Sequence, residues 1–155
     1  MQTLKESIRC KILEEARSEL SARGYGSISM KCIAAGCGIS VGTIYKYFGS
    51  KDCLYDAVVD DARTALAELF LSPDAETFYG LVNEHRTGLR ILLFRGREDE
   101  ATAAFVAGEC SDIGNRMCSL WLCRVLEQML MHKPTKAESM LLIDEFISVR
   151  NHISK

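Results

Sequence analysis

Apolar residues recur three and four places apart along almost the whole of this chain, which holds just two prolines, Pro73 and Pro134. That spacing gathers apolar side chains on one side of a helix, whereas a half-buried strand would need strict alternation. β-Branched runs are few and nothing reads as a strand ladder, so the expected fold is all-α. A chain of 155 residues can bury one good core, or a core with a small satellite. No apolar run approaches the ~18–20 residues that cross a bilayer. The opening MQTLKESIRCKILEEARSEL lacks the apolar segment of a signal peptide. A cytoplasmic protein with no membrane partner is expected.

The stripe Leu4, Ile8, Ile12, Ala16, Leu20, widened by Leu13, predicts a first helix that stops at Gly24. Ser29 is placed to cap a short second helix that turns Ile33 and Ala34 inward. Gly36 lies inside it, at a cost of about 1 kcal/mol relative to alanine. After Cys37-Gly38-Ile39, Ser40 can cap a third helix over 41–48, with Ile44 and Phe48 on one face. Ser50 then opens a long fourth helix through Leu54, Val58, Ala62, Leu66 and Leu69. Beyond Pro73 the pattern predicts one helix through Phe78, Leu81, Leu89, Leu92 and Leu93, ending near Gly96, and another over roughly 98–110. A broad apolar helix follows over about 113–131. The break His132-Lys133-Pro134 leads into the capping box Thr135-Lys136-Ala137-Glu138 and a last helix over about 135–152.

The segment from Gly36 to Gly42 superficially matches a dinucleotide-binding loop. Its third glycine comes one residue late, and the segment before it is helical, whereas such a loop must follow a strand. A helix-turn-helix fits instead: two helices of about two turns, a tight turn at Gly38, and a small core of Ile33, Ala34, Ile39, Ile44 and Phe48. Val41, Thr43, Lys46 and Tyr47 are then left outward, at positions that in such motifs enter the major groove. Capping hydroxyls and lysines meet phosphate. Charge agrees with this placement. Residues 1–51 hold eight Lys and Arg against four acids, while residues 52–155 hold eleven against seventeen. Lys51 falls in the first turn of the fourth helix, where the macrodipole opposes a cation and favours a phosphate beside it.

Gly24-Tyr25, Ser29 to Ala34, the run Gly38-Ile39-Ser40-Val41-Gly42-Thr43-Ile44-Tyr45-Lys46-Tyr47-Phe48, and Lys51 with Leu54 together resemble the N-terminal domain of TetR-family transcriptional regulators over about residues 4–60. The resemblance implies a three-helix DNA-binding head, here 1–49, on a linking helix. It also implies a short helical effector-binding and dimerisation body, here 50–155. Carried over by position, it puts DNA contacts at Lys31, Val41, Gly42, Thr43, Tyr45, Lys46, Tyr47 and Lys51, with Ser29 and Ser40 as caps near phosphate. Gly42 would let the third helix approach the DNA backbone closely. Two departures from the family pattern stand out. Cys37 replaces the usual alanine of the turn, and Ile28 and Met30 stand where hydroxyl residues are common.

For the body, the resemblance implies a homodimer through the last two helices, a palindromic operator and release by an unknown small-molecule effector. Phe78, His85, Phe94, Phe105, Met117 and Trp121 are the large or polarizable residues available to a pocket, although such residues also make ordinary core. Arg90, Arg95 and Arg97 could attract an anionic effector or form a solvated face. Two other readings keep the architecture: a dimer with no effector, and a thiol or metal sensor using Cys110, Cys118 and Cys123. The seven cysteines include no Cys-x-x-Cys pair, and six lie in apolar helical patterns, where buried free thiols are expected. No catalytic constellation and no His-Glu-x-x-His occurs, so neither enzyme activity, a cofactor nor a metal is expected.

Overall fold

A computed structural model describes residues 2–96 and 113–153 of the backbone. The expected helix over 98–110, with Phe105 and Cys110, lies outside the described residues, as does the side chain of Met117. Among the described residues every regular element is helical. They are α1 (Gln2–Arg23), α2 (Met30–Cys37), α3 (Val41–Phe48), α4 (Lys51–Leu71), α5 (Ala75–Glu84), α6 (Arg86–Arg90), a π-helical segment (Ile91–Arg95), α7 (Ile113–Met131) and α8 (Lys136–Ile153). The described residues form two compact units, one of 2–63 with 87–96 and one of 64–86 with 113–153.

In the first unit, α1 buries Ile12, Ala16 and Leu20 against a core that takes Ile33, Ile44, Leu54 and Val58 from α2, α3 and α4. The chain leaves α1 at Gly24, whose N–H still closes on the Leu20 carbonyl at 2.9 Å and whose φ of 75° turns the following residues out of the helix. Tyr25 follows, and its N–H donates to the carbonyl of Arg95 at 2.8 Å. Residues 87–96 thus return to the first unit, where Leu89, Ile91 and Leu92 are buried. Gly96 lies against the Tyr55 side chain, and a Cβ there would stand 2.0 Å from the tyrosine Oη and 3.0 Å from the Ile91 carbonyl. Tyr55 is 1% exposed and cannot swing away. Gly96→Ala should therefore cost about 1–3 kcal/mol of stability, read by chemical denaturation, with part recovered when Tyr55→Phe removes the hydroxyl.

In the second unit, α5 and α8 pack through Phe78 and Phe146, whose ring centres lie 5.9 Å apart. The α7–α8 hairpin closes on the expected capping box. The Thr135 N–H donates to Glu138 Oε2 at 2.8 Å, and the Glu138 N–H donates to Thr135 Oγ1 at 3.3 Å. Two arginines satisfy helix-terminal carbonyls that have no intrahelical donor. Arg86 donates to Met129 O at 2.6 Å, and Arg150 donates to Phe70 O and Ser72 O at 2.7 and 2.9 Å.

The single helix expected from Pro73 to Gly96 is instead three pieces. Asp74 caps α5, accepting from the Thr77 N–H at 2.8 Å, and α5 ends at His85, whose N–H closes on Leu81 O at 3.0 Å. The apolar pattern runs on across the break because each side needs its own buried stripe. Phe78 and Val82 serve one unit, Leu89 and Leu92 the other.

Hydrogen bonds from Thr77 to Asp74, the backbone one foremost, hold that carboxyl below its ordinary range. Bonds from Thr135, the hydroxyl first, do the same for Glu138. Lowered folded values mean stability that is present above the ordinary carboxylate range and lost as pH falls through them. The melting temperature should drop on acidification below about pH 4, and Asp74→Asn with Glu138→Gln should remove that part of the slope.

The cysteines correct an expectation. Cys37 and Cys118 are buried and Cys123 is partly so, but Cys10, Cys32 and Cys53 are exposed. Cys10 falls off the Ile12–Ala16–Leu20 stripe, and Cys32 and Cys53 stand in first turns, three residues beyond Ser29 and Ser50, where the helix faces solvent.

Candidate nucleic-acid interface

Local chemistry sets the start of α2, the turn and the start of α3. Ser29 Oγ accepts from the Cys32 N–H at 3.2 Å, opening α2. At its other end Gly38 adopts φ 67°, ψ 34°, a conformation that costs glycine nothing. The Gly38 N–H then reaches Ala35 O at 3.1 Å and the Ile39 N–H reaches Ala34 O at 3.0 Å, a complete Schellman closure. Two residues later Ser40 Oγ accepts from the Thr43 N–H at 3.1 Å and opens α3. The same Ser40 Oγ lies 2.9 Å from Thr43 Oγ1, so the two hydroxyls hold each other at the start of α3.

Ile44 and Phe48 anchor α3 from within, and the Arg9 guanidinium lies 5.6 Å from the centre of the Phe48 ring. Gly42, Tyr45 and Lys46, at helical spacing on one side, are exposed, while Val41, Thr43 and Tyr47 are partly so. Around Gly42 the nearest atom to a hypothetical Cβ is Ser40 Oγ at 3.8 Å, so packing within the protein does not require a glycine there. On α2, Ser29 and Lys31 are exposed. Lys51 opens α4 with its Nζ 4.3 Å from the centre of the Tyr25 ring. Residue type alone does not mark Tyr25 as the neighbour of this lysine; the one local hint is its place directly after the Gly24 stop.

The two departures from the family pattern have structural explanations. Ile28 and Met30 are buried, so both add apolar side chains to the core of the first unit. Cys37 is buried too, and its thiol donates to Lys11 O at 3.6 Å, tying the turn to α1. Burial first, then the Glu15 carboxylate, pushes this thiol's pKa up.

The body residues fall in different settings. Phe78 is fully buried, Trp121 is partly buried, and His85 ends α5, its Nε2 3.9 Å from the Glu84 carboxylate. Phe94 is exposed and belongs to the other compact unit. Cys118 is buried, and burial raises the pKa of Cys123, which makes Cys123 a poor source of thiolate. Among the described residues, no three His, Cys, Asp or Glu side chains group as metal ligands, and no helix is long and apolar enough to cross a membrane.

The sequence pattern of the tetR family of bacterial regulatory proteins matches residues 12–58, a span that contains both helices of the motif and the start of α4. Over 68 residues the chain is 44% identical to the HTH-type transcriptional regulator UidR of Escherichia coli (strain K12), covering 43% of this chain and 35% of that protein. Over 72 residues it is 35% identical to the HTH-type transcriptional repressor Rv3405c of Mycobacterium tuberculosis (strain ATCC 25618 / H37Rv), covering 46% of this chain and 38% of that one. The matches thus span little more than a third of the curated relatives' length. Capped helices, a glycine turn and an outward-facing α3 agree with that match, and the head of this chain is a domain of the tetR family of bacterial regulatory proteins.

Proposed function

We propose that this chain is a DNA-binding transcriptional regulator acting in the cytoplasm as a homodimeric repressor of a palindromic operator, released by a small-molecule effector. The observation that carries DNA binding is the exposed side of α3. Gly42, Tyr45 and Lys46 are displayed there on a helix whose other side is fixed by Ile44 and Phe48. Thr43 and Lys46 would choose bases, and Lys31, Tyr47 and Lys51 would hold phosphates, with Ser29, Ser40, Val41 and Tyr45 flanking the contact. Leu120 on α7 and Leu141 on α8 are 56% and 71% exposed, which supports these helices as the surface met by a second copy. A two-fold dimer would present two α3 helices to successive turns of the duplex.

The test is an anisotropy titration with duplexes from around the chain's own gene, at two salt concentrations. Tight, salt-sensitive binding to a palindrome at two chains per site is expected. A folded protein that ignores every duplex at low salt sinks the reading. An effector that engages the folded body raises its melting temperature, whereas a dimer with no effector shows no such rise.

A further inference from the structure

Lys51 stands where the α4 dipole disfavours a cation, yet its ammonium is not left to solvent alone. It sits 4.3 Å from the centre of the Tyr25 ring, at the electron-rich face. Tyr25 is itself fixed within the first unit. Its hydroxyl donates to Oδ1 of Asp52. Its ring meets Tyr55 edge-on, 5.2 Å between centres at 71°. Its backbone N–H donates to Arg95 O at 2.8 Å. Donation to a carboxylate also pushes electron density into the phenol ring, which strengthens the face that Lys51 meets.

We propose that Tyr25 is a positioning residue for phosphate recognition, its ring holding the Lys51 ammonium in the orientation that meets a phosphate of duplex DNA. The proposal rests on the DNA-binding reading above. A lysine side chain normally gives up much rotamer freedom when it is pinned to an anion. One already settled on an aromatic face has given up part of it beforehand, so less affinity is lost on binding. The ring engages one side of the ammonium and leaves N–H groups on the other side for phosphate oxygens. Tyr25 touches no DNA in this scheme and acts through Lys51 alone.

A mutant cycle tests it, read by anisotropy of the full chain with a labelled mixed-sequence duplex of ~30 base pairs at several salt concentrations from about 50 mM upward. Lys51→Ala should lower the salt slope by about one. Tyr25→Leu should weaken binding about two- to fivefold, an effect that vanishes in the Lys51→Ala background. Tyr25→Phe, which keeps the ring but loses the bond to Asp52, should weaken binding less than Tyr25→Leu does. Phenylalanine carrying one, two and three fluorines at position 25 keeps the shape while draining the ring face. Affinity should fall stepwise with fluorine when Lys51 is present and stay flat when it is alanine. This series decides the matter even if Tyr25→Leu does not fold. A Tyr25 effect of equal size with and without Lys51, or no fluorine dependence, overturns the proposal while leaving DNA binding intact. No binding by the unaltered chain at low salt overturns both.

Discussion

Replacing Gly42 by alanine is expected to raise the melting temperature of this protein while weakening its hold on DNA. The two effects have separate origins. A helical glycine gives up more backbone freedom on folding than alanine does, at a cost of about 1 kcal/mol. Near Gly42 only Ser40 Oγ, at 3.8 Å, comes within reach of an added methyl group, so the fold offers no resistance to the change. For a chain of this length that gain corresponds to about 2–4 °C. On DNA the same methyl occupies the space through which α3 would approach the backbone, and a loss of at least about tenfold in affinity, some 1.4 kcal/mol, is expected. Gly42→Leu should abolish binding while the protein stays folded. Thermal melts and DNA titrations on the same samples read both signs. A stabilised variant that binds as before would mean that α3 does not approach DNA along this side.

The largest loss of stability is expected from Phe78→Ala. Phe78 is fully buried on α5 and meets Phe146 of α8, itself 1% exposed, at 5.9 Å with the rings inclined by 59°. Removing it leaves a cavity between two helices whose backbones are fixed by caps at Asp74 and Thr135. Such truncations cost about 3–5 kcal/mol, or roughly 6–20 °C in melting temperature for a chain of this size. The experiment also bears on Phe78 as a pocket residue. A side chain that lined a preformed cavity would lose far less on truncation, because much of its surface would already lack protein neighbours. A cost under about 1 kcal/mol would return Phe78 to that role.

Features set by short-range chemistry could be read from residue order alone. Ser29, Ser40 and the Thr135–Glu138 pair announce helix starts because their oxygens accept from N–H groups three residues on, which needs no distant partner. Gly24 and Gly38 announce ends for a comparable local reason, their positive φ. The break at His85 was illegible because the apolar spacing on either side is equally helical. What separates Phe78 from Leu89 is the unit each one packs into. The exposed cysteines escaped for a related reason, since periodicity fixes which residues share a side of a helix but a thiol is compatible with either side. Within the candidate site, the outward residues of α3 followed from the inward Ile44 and Phe48. The partner of Lys51 did not, because Tyr25 and Lys51 are brought together by tertiary packing across 26 positions of sequence.

The hydrogen bond from Tyr25 to Arg95 and the seat of Gly96 against Tyr55 also set a birth order. A ribosome adding about 5–20 residues each second finishes residue 63 a few seconds before it reaches residue 96. During that interval the helix-turn-helix is already chemically complete, with its caps and glycine turn in place, yet the unit around it still lacks a wall. The nascent head therefore matures only when a later stretch of the chain folds back to it, and residues 87–96 are the last masonry of a domain that reads as finished by residue 58.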